Sequence, residues 1–256
     1  MTVNLTNANV IQIENVSVRY RVPKERMRTI KEVAIRWIRR ELGYKDFWAL
    51  KDVNLSLKSG EIMGVVGHNG AGKSTMLKLV AKILKPTSGR VLVKGKVAPL
   101  LGFGAGFHLE LTGRENVYLN GALLGFSHAE MDEKFDRIVD FAEIWDFIDA
   151  PLRTYSTGMK ARLGFAVATD VEPDILLIDE ALAVGDTAFQ EKSSERMRQF
   201  YEKGVAILLV SHNMASIQSL CHKVAWIDHG ELKMLGDTDE VVEAYQTDQL
   251  SAKRSR

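Results

Sequence analysis

A single cysteine, Cys221, stands in 256 residues, so no internal disulfide can form and a reducing compartment suits the chain. Its ordinary reading is a small core residue. No apolar run approaches the ~18 residues that suggest a membrane-spanning helix. The longest runs, such as Val205–Val210, have strand length. The amino terminus, MTVNLTNANV, lacks the basic-then-apolar order of a secretory signal. Work at a membrane would therefore need a span supplied by another chain. Charge of one sign is also lacking, with 34 basic against 33 acidic side chains. That balance lacks the basic footprint expected of a nucleic-acid binder. No repeat and no low-complexity linker interrupts the chain.

What remains is an ordinary globular composition, 46% hydrophobic and 26% charged, enough for one large domain or two small ones. IQIENVSVRYR (Ile11–Arg21) alternates like a half-buried strand. ALKDVNLSLKSGEIMGVVG predicts a strand, a turn at Ser59-Gly60 and a short buried strand, Ile62–Val66. Met76–Leu84 has helical spacing and stops before a Pro/Gly turn. Residues 112–165 are helical in pattern, with Met131, Phe135, Ile138, Val139 and Ala142 at helical intervals. Ile175–Ile178 and Ala206–Val210 are short apolar runs expected of buried parallel strands. A helix over about 187–203, another from Met214, a hairpin at His229-Gly230 and a helix near 239–246 complete the pattern. Strands alternating with helices predict an α/β fold with a mostly parallel sheet.

Gly67-His68-Asn69-Gly70-Ala71-Gly72-Lys73-Ser74-Thr75 satisfies G-x-x-x-x-G-K-[ST], the Walker A pattern, between a predicted strand and a predicted helix. Glycines let the backbone turn so that its N–H groups face one point, and the helix start adds positive potential. Lys73 is expected to reach the β- and γ-phosphates, and the Ser74 hydroxyl to ligate Mg²⁺. The chain is therefore read as a binder of a nucleoside triphosphate. Binding alone does not imply hydrolysis. Asp179 ends a buried strand, where its carboxylate can hold Mg²⁺; Glu180 beside it can orient the attacking water. His212 follows the next buried strand and reaches the same edge, where an imidazole can meet the γ-phosphate.

Tyr155-Ser156-Thr157-Gly158-Met159 precedes another helix and offers a second anion-binding end. In order and spacing these motifs resemble the ATP-binding cassette ATPases across residues 9–246. The resemblance implies a P-loop NTPase (RecA-like) core with an N-terminal antiparallel β subdomain, and a helical subdomain inserted at about 104–168. It implies ATP and Mg²⁺ as ligands and a head-to-tail homodimer enclosing two nucleotides. Ser156 and Gly158 would then act in trans, and Asp186 in ALAVGD would lie in the dimer-facing loop. Tyr20 matches the position from which an aromatic stacks on adenine, with Tyr44 and Trp48 as competitors.

Three departures narrow the resemblance. Residues 22–47 interrupt the usual pattern with a basic stretch in which Ile30, Ala34, Trp37, Ile38 and Leu42 fall at helical spacing. Such a helix either packs on its own domain or meets anionic lipid or a membrane partner. The signature carries Tyr155 and Met159, and GAGFHLELTGREN begins within a loop flexible at Gly102, Gly104 and Gly106. The family's usual Gln in that loop is absent. The loop reads as a modified coupling loop, with Phe103, Phe107 or His108 facing the partner, or as a plain hinge. Together these departures look like the ATPase subunits of bacterial exporters of O-antigen, teichoic acid and related polysaccharides. The resemblance implies a polytopic membrane subunit as partner, no nucleic acid, and a peripheral place on the cytoplasmic face of the cell membrane. A soluble cassette ATPase of DNA repair or translation, and an importer ATPase, are the alternative readings. Residues 247–256 read as a polar tail.

Overall fold

The computed structural model describes residues 9–23, 44–100, 107–170, 172–179 and 186–254. The chain opens with β1 (Asn9–Pro23), which pairs antiparallel with β2 (Tyr44–Lys58). After a turn at Ser59-Gly60 come β3 (Ile62–Val66), helix α1 (Lys73–Val80), β4 (Ser88–Val93) and β5 (Val97–Leu100). Three helices follow, α2 (Gly113–Leu123), α3 (His128–Ala142) and α4 (Thr157–Thr169). The second half alternates β6 (Ile175–Asp179), α5 (Thr187–Glu202), β7 (Ala206–Val210) and α6 (Met214–Leu220). It closes with the hairpin β8 (Lys223–Asp228) and β9 (Glu231–Asp237), then α7 (Thr238–Arg254).

The strands form two sheets. One is antiparallel in the order β2-β1-β4; the other has the order β5-β6-β7-β3-β8-β9 and is parallel except at its β8–β9 edge. Burial on both faces explains the apolar runs. In β6, Ile175 and Leu177 face the antiparallel sheet and α1, while Leu176 and Ile178 face the helices. That two-residue period divides the interior into two cores, one on each face of the parallel sheet. Cys221 lies in the helix-side core, and burial pushes its thiol up to about 12, as an inert core residue requires.

Three expectations are corrected. The helix expected over Met76–Leu84 begins at Lys73 and ends at Val80, because Lys82 adopts a left-handed backbone (φ 59°). The basic segment at 22–47 is bounded by strand: Val22 pairs with Lys45 and Pro23 with Tyr44, so the β1–β2 hairpin reaches into it. Its centre, including Ile30 to Leu42, lies outside the described residues. The polar tail expected from 247 is instead helical through Arg254 as the end of α7.

Helix starts are explained locally. Thr112 and Ser127 each accept from the amide three residues on, and Glu115 and Glu130 return the bond to their backbone N–H. Each such capping box contributes about 1 kcal/mol to starting its helix. Buried Asn116 holds the turn before α2: its Oδ1 accepts from His108 N at 2.7 Å, and its Nδ2 donates to the carbonyls of His108, Leu111 and Thr112. Phe107 is half-buried and packs against the helix-side core, while His108 is exposed. Gly102, Phe103, Gly104 and Gly106 lie outside the described residues.

Candidate active site

The phosphate loop joins β3 to α1, and its backbone needs the glycines the motif supplies. Gly67 has φ 152°, and a Cβ there would sit 2.1 Å from the Ile227 carbonyl oxygen. Gly72, at φ 114°, is the N-cap of α1, and a Cβ would sit 2.4 Å from the Ala49 carbonyl. Both positions exclude any side chain. At Gly70 (φ 82°) a Cβ would meet open space, so there only the backbone angle demands glycine.

Helix α1 begins without a side-chain cap, whereas α2 to α6 are capped by Thr112, Ser127, Ser156, Asp186 and Asn213. Its first-turn amides are thus left to a ligand, which is what an oxyanion needs. Lys73 is buried, and its ammonium donates to the carbonyls of Gly67 at 2.7 Å and His68 at 3.0 Å. It therefore spans the loop from inside. Ser74 and Asn69 are exposed beside it, and Thr75 is half-buried. An amide-lined loop, a lysine and a serine hydroxyl are the donor set that fits a triphosphate with Mg²⁺.

Sheet register brings the other groups to the same edge. β7 lies between β6 and β3, with Asp179 level with Val210 and Val65 level with Val210. Asp179 and the loop after Val66 therefore flank the end of β7, and His212 follows two residues beyond it. A cavity of about 550 Å³ is lined by His68 and Asn69 of the loop, His212, and Tyr245, Gln246 and Gln249 of α7. A second cavity of about 560 Å³ lies among Lys96, Asp170, Glu172 and Arg196. It faces the amino ends of β5 and β6, away from the phosphate loop, and Asp170 there is neutralised by Lys134 and Arg137. Glu180 lies outside the described residues, directly after Asp179.

Ser156 is exposed and caps α4 by accepting from Met159 N at 3.1 Å; Gly158 sits in the first turn. Neither is drawn to the phosphate loop of the same chain by any contact among the described residues. Tyr155 is buried, and its hydroxyl donates to the Phe147 carbonyl at 2.6 Å. Gly113 makes room for it, since a Cβ there would lie 2.2 Å from that hydroxyl. Desolvation, helped by the charge of Asp149, pushes the Tyr155 phenol up to about 12. Asp186 caps α5 by accepting from Phe189 N at 3.0 Å and pairs with Arg162 of α4. Arg162 also pairs with Glu143 at 3.2 Å and lies over the Phe189 ring. Sequence reasoning missed Arg162: it is one of many surface charges until folding brings α4 beside α5.

Tyr20 is 37% exposed on β1 opposite Phe47, which is 52% exposed; Trp48 is 39% exposed with the Arg19 guanidinium over its ring. All three stand on the antiparallel sheet, near where Ala49 touches Gly72. The side chain of Tyr44 lies outside what is described.

The family model described as ABC transporter matches residues 50–183, just over half the chain. The O-antigen export system ATP-binding protein RfbB of Klebsiella pneumoniae is 49% identical over 202 residues, covering 79% of this chain and 82% of its own. The teichoic acids export ATP-binding protein TagH of Lactococcus lactis is 43% identical over 202 residues, 79% of this chain but 43% of its own length. The fold matches the ATP-binding cassette MJ0796, solved as a post-hydrolysis dimer with ADP and Pi, at a TM-score of 0.70 and 22% identity. That match covers 89% of this chain and 98% of the solved one. With a phosphate loop, a strand-end aspartate and a capped signature helix on that fold, the chain belongs to the ABC transporter family as an ATP-binding cassette.

Proposed function

We propose that this chain is the ATP-hydrolysing motor of a membrane exporter that moves lipid-linked polysaccharide, of O-antigen or teichoic acid type, out of the cell. The observation that carries the reading is the close identity, over most of both chains, to a protein named for O-antigen export. Similarity to teichoic acid export subunits supports the same substrate class. No helix among the described residues is long and apolar enough to cross a membrane. A polytopic partner would supply the path. Two copies would pair on the cytoplasmic face of that partner.

Each residue then has a task. The loop amides of Gly67, Asn69, Gly70 and Gly72 and the Lys73 ammonium bind the phosphates, Lys73 exchanging its carbonyl partners for phosphate oxygens. Ser74 and Asp179 would hold Mg²⁺, which when bound offsets charge on the β- and γ-phosphate oxygens. Glu180 accepts a proton from the attacking water and His212 orients that water against the γ-phosphate. Thr75 closes the loop at the first turn of α1, and Tyr20 stacks on the adenine. Ser156 and Gly158 cap the γ-phosphate held by the second copy, with Asp186 beside the joint. The exposure of Ser156 and Asp186 in the single chain supports this, because a signature used in cis would be folded against its own loop.

The test is deletion of the chromosomal gene. Polysaccharide should vanish from the surface and its lipid-linked form accumulate inside. Wild type should restore export and Lys73→Ala should not. An unchanged cell surface would overturn the assignment.

A further inference from the structure

The phosphate loop carries a second cluster that nucleotide binding does not use. His68, the loop's second residue, meets Asp228 and His229 at the turn between β8 and β9. Nε2 of His68 lies 3.2 Å from Asp228 Oδ1, and Nε2 of His229 lies 3.9 Å from the same oxygen. The two rings are 4.7 Å apart between centroids. Three ligand atoms from this cluster all lie within 4.8 Å of one another, and among the described residues no other such group of three is found.

The tautomer of His68 follows from its other nitrogen. Nδ1 lies 2.7 Å from the Asn69 carbonyl oxygen, which can only accept, so Nδ1 carries the proton. In the neutral ring Nε2 is then a lone pair. That atom is buried and has no hydrogen-bond partner, yet it faces a carboxylate oxygen. Two lone pairs at this distance repel unless a cation stands between them. A proton would serve His68 alone. It leaves unexplained why His229, held in a left-handed backbone at φ 47°, turns a second imidazole toward the same oxygen.

We propose that His68, Asp228 and His229 form a binding site for a borderline-soft divalent cation, Zn²⁺ foremost, separate from Mg²⁺ at Ser74 and Asp179. Two imidazoles and one carboxylate suit Zn²⁺ and disfavour Mg²⁺, which takes oxygen ligands. Bond lengths of ~2.0–2.1 Å put the ligands of a tetrahedral site roughly 3.3 Å apart, so His68 is already in place and His229 closes by a small rotation. The Asn69 carbonyl is the outer partner that orients a metal-binding histidine. The turn is already tied to the loop, since Gly230 N donates to the Ala71 carbonyl at 2.9 Å. A bound cation adds a second tie and restrains the phosphate loop at His68.

The test uses the untagged full chain without nucleotide, titrated with Co²⁺ as a spectroscopic stand-in and then with Zn²⁺ by calorimetry. One Co²⁺ per chain should give the visible bands of four-coordinate cobalt, and Zn²⁺ should displace it. His229→Ala, at an exposed turn, and the near-isosteric Asp228→Asn should each weaken binding ~10–100-fold. His128→Ala, which removes a two-residue surface pair with Asp132, should leave binding unchanged. No cobalt bands in the wild type, or bands that survive both site variants, would overturn the proposal and leave an ion pair only.

Discussion

At the residue scale, Tyr155 shows how a departure from a familiar motif is given meaning by its surroundings. Its hydroxyl satisfies the Phe147 carbonyl and so fixes the strand of chain leading into the signature helix. Tyr155→Phe should cost ~1–3 kcal/mol by leaving that buried acceptor unpaired. The phenol is neutral when folded, with its pKa raised from 10.0 to about 12. Its stabilisation is therefore full below pH 10 and is lost as pH rises toward 12. Urea melts at neutral and alkaline pH check both points: the variant should be less stable at neutral pH, and its deficit should shrink across that alkaline window. Equal stability at neutral pH would show that the bond contributes nothing. The phosphate loop was legible in the sequence because its chemistry is contiguous. The Tyr155 partner was not, because a backbone carbonyl carries no residue-type signal. The same holds for His68, whose tautomer depends on the Asn69 carbonyl.

Elements were legible where one periodicity ruled. β3 and β7 lie where their apolar runs predicted, since strands buried on both faces leave no alternation to misread. Boundaries set by other forces were less visible. The end of α1 depends on a left-handed Lys82, and the ends of the 22–47 segment are drawn into strand by pairing across the hairpin. Contacts between elements were least visible, and Arg162 is the clearest case. It joins the signature helix α4 to the cap of α5 at Asp186 and to the end of α3 at Glu143. Because Asp186 and Glu143 are exposed, each ion pair contributes less than ~1 kcal/mol, and Arg162→Ala loses in addition the packing of its guanidinium over the buried Phe189 ring. Turnover should also fall several-fold with little change in KM for ATP, because the phosphate loop is untouched while the signature helix and the Asp186 loop lose their link. Steady-state kinetics with Arg162→Lys as a partial rescue checks this. A purely structural role would lower the melting temperature and leave kcat intact.

For the whole molecule, the sheet order explains why one edge collects the chemistry. Placing β7 between β6 and β3 sets Asp179, His212 and the phosphate loop side by side, though more than a hundred residues separate the loop from the other two in sequence. Ser156 of the signature is exposed in the single chain, which fits a site completed by a second copy. The account therefore stands or falls on ATP closing two chains together before Glu180 directs water to the γ-phosphate. Light scattering of Glu180→Gln with and without Mg·ATP measures this directly, read beside its turnover. The account predicts a single-chain mass without nucleotide, twice that mass with ATP, and turnover reduced to near background. A mass that ATP leaves unchanged, or turnover equal to wild type, would contradict it.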